Sequence, residues 1–256
     1  MKRLFQSEWE RMWKRKKTKV SLLLLMLIVC FDCLFLNMQR VGAFNASDSV
    51  PLVAQNFSVF LLKEVSFFLT LIIGPLLIVD SLNGENTSGQ LRLVLIRPIS
   101  IAKLFLAKWL NLACMLFLFV SLTFVIGEAF GHLLLPSVDS LFYLNPTNRY
   151  DSLGAFMYGL KSYGLFFLIL LAELSIVCLI CTLLPNAIIS YFIWIGVMIG
   201  TLYVSDSLQF FLLSASTIFK LMADRYAYPF YLPLGGCIGF GFLVTMAIWN
   251  RKNWSK

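Results

Sequence analysis

Six long apolar runs dictate what this chain can fold into. They cover residues 20–36, 57–79, 104–126, 163–184, 187–204 and 234–249. A bilayer core of about 30 Å takes ~20 helical residues, with a usable range of about 17–25. The runs meet that requirement, the last by extension toward residue 231. Only 13% of the residues are charged and 59% are hydrophobic, where a soluble domain carries about 25% charged residues. The expected fold is all-α and integral to the membrane, with six transmembrane helices. A net charge of +8 would suggest nucleic acid as a partner of a soluble protein. Here the basic residues collect beside the apolar runs, as membrane topology requires, so nucleic acid is excluded and the lipid bilayer is the expected surrounding.

The placement of Lys and Arg sets the orientation. Fifteen lie before the first run, between the second and third or near the start of the third (Lys108), or after the sixth, against five in the remaining connections, with Lys63 inside the second run. Both termini and the 80–103 loop are expected in the cytoplasm, which agrees with an even number of crossings. The 19 residues ahead of the first run are too long and too mixed in charge for a signal n-region. No Ala-x-Ala site follows closely, so the run reads as a retained anchor. Within that leader, Phe5, Trp9, Met12 and Trp13 share an arc of roughly 100° on a helical wheel, with Glu10, Arg11 and Lys14 elsewhere. Residues 1–19 are expected to form an amphipathic helix in the headgroup layer. Residues 205–233 hold an apolar but interrupted run, too short to cross, expected as a helical hairpin on the outer side. The 185–186 Pro-Asn pair is expected to join spans four and five tightly.

The six cysteines all fall in apolar runs. The Cys-x-x-Cys spacings at Cys30/Cys33 and Cys178/Cys181 are expected to be buried thiols acting as small hydrophobes, not metal or redox sites. The sole histidine, His132, is expected in an outer loop with no catalytic set around it. No catalytic and no metal residues are assigned, and an intramembrane protease or acyltransferase is the weaker alternative.

Ionisable residues within spans are costly and mark candidate sites. Asp32 in span one and Lys63 in span two lie at similar depths, ~6 and ~9 Å from the outer side by helical rise. An ion pair between adjacent helices is expected of them, with a substrate site as the other role. Glu173, near the middle of span four, has no obvious partner. Lining a path, bonding across a dimer, or holding a proton are open to it. Gly196/Gly200 and Gly235/Gly239 have the small-xxx-small spacing that allows close helix packing.

Residues 78–110 carry the most information. Gly84 and Gly89 have the spacing of a nucleotide-binding P-loop, but Gln90 and Leu91 stand where Lys and Ser or Thr would bind phosphate and magnesium. Span two is expected to end near Asp80 in a polar turn. Thr87 and Gln90 have capping-box spacing, and a short helix to Ile96 would place Leu91, Val94 and Leu95 on one face with Arg92 on another. Arg97-Pro98 would stop it, since the residue before proline is pushed out of the α region. Exposed Leu and Val on such a helix need a partner surface or the membrane.

This stretch resembles the signature of permease subunits of ABC type-2 transporters, in which an acidic residue at the end of span two leads to a Gly-Glu-x-x-x-Gly-x-Leu-like turn, a leucine-rich helix, an Arg-Pro-hydroxyl step and a Lys. The matches are Glu85, Gly89, Leu91, Leu93, Leu95, Arg97, Pro98, Ser100 and Lys108. The family usually has Arg soon after the Pro-x-Ser step, where this chain has Ile101, Ala102 and Lys103. The resemblance implies one transmembrane domain over residues 1–256, a cytoplasmic coupling helix between spans two and three, and residence as a multi-pass protein of a bacterial plasma membrane. It implies an ABC ATPase subunit as partner, carrying the ATP-Mg, and a second permease subunit, identical or not. It further implies that Glu85 and Arg92 make polar contacts with the ATPase, that Leu91, Val94 and Leu95 fill its groove, and that Gly89, Arg97 and Pro98 shape the docking segment. The function expected is export of an amphipathic, peptide, lipid or drug-like substrate, with an ATP-independent secondary transporter as a further alternative.

Overall fold

The computed structural model describes residues 1–44, 48–84, 100–144, 148–184 and 186–251. Among these, six helices are long and apolar enough to cross a membrane. In chain order the elements are α1 (Lys2–Lys14), α2 (Lys16–Gln39), a ribbon of β1 (Val41–Ala43) and β2 (Ser49–Pro51), α3 (Phe57–Gly84) and α4 (Ile101–Leu134). There follow a ribbon of β3 (Leu141–Phe142) and β4 (Arg149–Tyr150), α5 (Ser152–Leu183), α6 (Ala187–Val204), a 3-10 turn (Asp206–Phe211), α7 (Ser214–Met222) and α8 (Tyr231–Arg251). The architecture is that of a multi-pass helical membrane protein. Six crossings leave α1 and the end of α8 on one face, called here the N-terminal face.

The helices outrun the apolar stretches that announce them. α4 continues to Leu134, so His132 is helical, 3.6 Å from the Glu128 carboxylate, and does not sit in a loop. α5 begins at Ser152, where the Asp151 side chain accepts from the Gly154 N–H and satisfies one of the free first-turn donors. The Asn186 side chain does the same for Ile188 and Ile189 at the start of α6, which is why α6 begins immediately after α5 ends. α2 ends at Arg40 in the left-handed conformation, and its N–H returns to the Leu36 carbonyl.

The bundle has a core and a periphery. α3, α4 and α5 are half to two-thirds buried in their most apolar windows, whereas α2, α6 and α8 are about a quarter buried. On α2 the inward stripe is Leu25, Val29, Asp32, Cys33 and Leu36, at helical spacing, while Leu27, Phe31, Leu34 and Met38 are exposed. α8 packs tightly on α5 at Gly241, where a Cβ would lie 2.7 Å from the Ser175 backbone. The small-xxx-small glycines do not play that part within this chain: Gly196, Gly200, Gly235 and Gly239 have nothing within 4 Å of an added Cβ. On the opposite face, the β3–β4 ribbon is pinned by Tyr143 stacked on Tyr158 of α5, with centroids 3.9 Å apart, and by the Tyr143 hydroxyl donating to the Gln55 carbonyl.

Candidate functional site

The coupling-helix residues Glu85, Gly89, Leu91, Arg92, Val94, Leu95, Arg97 and Pro98 lie outside the described residues, as do Leu93, Thr87 and Gln90. Both flanks of that segment are described. Upstream, α3 does not stop near Asp80. It continues as a π-helical turn, Asp80–Gly84, held by contacts from two directions. Asp80 accepts from the Lys17 ammonium at 2.5 Å and lies 4.0 Å from the Arg15 guanidinium. Asn83, fully buried, donates to the Leu184 carbonyl at 3.0 Å and the Ser190 hydroxyl at 2.7 Å. The end of α3 is thus tied to the α1–α2 junction on one side and to the α5–α6 turn on the other. Burial holds the Arg15 guanidinium below its ordinary value; Arg11 adds to that and Asp80 opposes it.

Downstream, Lys108 in the second turn of α4 is 2% exposed and lies 3.0 Å from the Glu8 carboxylate, itself 8% exposed and 2.6 Å from Arg11. One turn on, Asn111 donates to the Phe5 carbonyl. These contacts dock α1 against α4. Glu8 and Met12 form the buried face of α1, while Phe5, Trp9 and Trp13 are half-buried beside it. The aromatic stripe is therefore only part of the inward face. Amphipathicity leaves out Glu8 because a carboxylate counts as polar wherever it points. The signal was Lys108: a cation inside an apolar run needs a partner, and Glu8 sits one turn from Met12 on the same face.

A second site lies mid-bundle. α3 is interrupted there by a π-helical turn, Leu69–Ile73, followed by Gly74 and Pro75. Pro75 brings no N–H to the preceding turn, and two carbonyls of that turn take side-chain donors from α6. The Tyr191 hydroxyl donates to Leu71 at 3.0 Å and the Trp194 indole to Thr70 at 3.4 Å. Glu173 faces this break: a Cβ on Gly74 would stand 3.0 Å from Glu173 Oε1. The residue is 1% exposed, and neither carboxyl oxygen has a hydrogen-bond partner among the described residues. π turns recur at functional positions in helices, and an ionisable group in a span marks a candidate site.

The expected Asp32–Lys63 ion pair does not form. The Lys63 ammonium donates to the Ala43 carbonyl in β1 at 2.7 Å and lies 4.0 Å from Glu64. Its long side chain reaches toward the opposite face and the ribbon there, away from the apolar interior. Asp32 is seven residues from the end of α2, ~10 Å by helical rise, and is deeper than the apolar run implied. Its Oδ2 is buried without a hydrogen-bond partner among the described residues. With Leu27, Ile28, Phe31, Leu34 and Phe68 it lines an open groove of about 460 Å³. Asp32, Lys63 and Glu173 are therefore three separate features. The six cysteines are free thiols, and among the described residues no three His, Cys, Asp or Glu side chains are placed to hold a metal ion.

No protein-family model matches this chain, and no curated protein sequence matches it. The fold and its polar contacts define a class: a six-helix, multi-pass membrane protein whose amphipathic first helix is docked on the bundle, with a broken helix at its centre.

Proposed function

We propose that this chain is the permease subunit of an ATP-driven exporter of the ABC type-2 kind, with ATP hydrolysed by a separate ATPase and the N-terminal face in the cytoplasm. The observation that carries this reading is the anchoring of both flanks of residues 85–99, the segment with the family-like sequence. Asp80 and Asn83 bind that segment's start to α2, α5 and α6, and the Lys108–Glu8 pair binds its end to α1. A push on the segment by an ATPase closing around ATP would reach α1, α2, α5 and α6 through polar contacts and re-aim them as rigid bodies. A second permease subunit would cover the open apolar faces of the peripheral helices. The substrate class is an amphipathic molecule, peptide, lipid or drug-like compound.

The test is co-purification with an ATPase encoded beside this chain, followed by transport in proteoliposomes. Leu95→Asp and Glu85→Lys should each leave membrane insertion and ATP hydrolysis in place and reduce transport at least tenfold. Transport at the unsubstituted rate by both variants overturns the docking role. One observation favours a second reading, an ATP-independent secondary transporter: a discontinuous helix facing an unpaired carboxyl is a common arrangement for coupling-ion sites. Uptake driven by an ion gradient without nucleotide would select that reading instead.

A further inference from the structure

A cleft of about 430 Å³ opens at the N-terminal face between the start of α2, the end of α3 and the start of α6. Its inner walls are Val20, Leu76, Leu77 and Ile188. Its outer end carries Lys16, Lys17 and Asp80. The first two turns of α6 add Ala187, Ile188 and Tyr191 and no charge. Arg15 lies 4.0 Å from Asp80, so the cations at this end, Arg15, Lys16 and Lys17, outnumber its one carboxylate. The polar end lies in the first turn of a membrane-crossing helix and the apolar part begins at Val20, ~6 Å further along the axis. A soluble anion would use only the outer end of this cleft and a neutral hydrocarbon only the inner part.

We propose that the cleft is a binding site for one anionic phospholipid, its phosphate on Lys16 and Lys17 and an acyl chain along Val20, Leu76 and Ile188. Charge complementarity sets the headgroup, since basic clefts between membrane helices at this depth favour acidic headgroups. Lys17 is the shared group: it is already bonded to Asp80 at 2.5 Å, so the phosphate and Asp80 compete for it. Lipid binding would loosen the tie between α2 and the end of α3. This proposal does not rest on the transport reading.

The competition gives a test with opposite signs. The full chain, purified in neutral detergent, is titrated with phosphatidylglycerol and with phosphatidylcholine and read by native mass spectrometry, with glycerol 3-phosphate as the soluble headgroup. One phosphatidylglycerol should be retained in preference to phosphatidylcholine. Lys16→Gln/Lys17→Gln should weaken phosphatidylglycerol by roughly tenfold or more, and Lys16→Arg/Lys17→Arg should restore it. Asp80→Asn removes the competing carboxylate and should tighten it ~5-fold. Ile188→Trp, which fills the apolar part and leaves every charge in place, should abolish retention, so the proposal stays testable if the lysine variant fails to fold. Equal retention of the two lipids, unchanged binding by Ile188→Trp, or weaker binding by Asp80→Asn overturns it. Displacement of phosphatidylglycerol by equimolar glycerol 3-phosphate also overturns it, by showing a phosphate site in place of a lipid site.

Discussion

Glu8 and Glu173 are both buried carboxylates, 8% and 1% exposed, and they are treated in opposite ways. Glu8 meets Lys108 at 3.0 Å and Arg11 at 2.6 Å. Glu173 meets no partner among the described residues and faces a break in the neighbouring helix. A buried ion pair gains little over an apolar replacement, yet removing one half is costly because the other half stays buried and uncompensated. The Glu8 pair therefore acts as a locating pin for α1 on α4. Glu173 pins nothing, and an ionisable group left open inside a span points to function. The N-terminal face thus uses its carboxylate to hold helices in register, whereas the carboxyl at the centre of the bundle is left available.

Breaking the pin should give the largest effect. Lys108→Met is expected to cost about 3 kcal/mol, the low end for breaking a buried pair because Glu8 keeps Arg11 at 2.6 Å, in thermal or denaturant unfolding of the detergent-solubilised protein. The Glu8→Leu/Lys108→Met double variant should recover most of that loss. If the double variant is no more stable than the single, the two residues are not a pair. Packing comes next: Gly241→Ala places a methyl 2.7 Å from the Ser175 backbone and should cost about 1–3 kcal/mol by overpacking. Gly196→Ala meets open space and should stay within ~0.5 kcal/mol. Equal costs at the two glycines would show that Gly196 packs on something outside this chain. The smallest change belongs to Glu173→Gln, expected to shift stability by less than ~1 kcal/mol because no bond is lost. A loss as large as that of Lys108→Met would mean that Glu173 has a partner and the contrast with Glu8 fails.

Much of the fold was legible because a bilayer imposes a length on every crossing. The sixth run pointed to an extension toward residue 231, and α8 begins at Tyr231. α6 occupies residues 187–204, the bounds of its apolar run. The overshoot of α4 and α5 was not legible, since outside the hydrocarbon a helix is free to continue with polar residues such as Glu128 and Ser152. The candidate site was legible only in part. In the sequence Lys108 stood out as a charge that sets topology and as the Lys of the family-like motif, and Glu8 as nothing at all. Asp32 and Lys63 were matched by depth alone, which ignores the reach of a lysine side chain and the presence of the β1–β2 ribbon that receives it. The ribbons escaped notice because strands of two or three residues leave no periodic pattern.

By itself the sequence determined that six helices are long and apolar enough to cross a membrane, and roughly where each lies, because hydrophobic length is a property of a linear string. Only the tertiary structure decided which face of each helix turns inward. α2 is apolar on nearly every side, so its composition favours no rotation. Packing against α3 and α4 selected the stripe that buries Asp32 and left Phe31 and Leu34 outside. The same holds for Glu8 with Lys108 and for Glu173 with Gly74. In a medium as apolar as the side chains themselves, burial does not orient a helix; shape and the few polar contacts do.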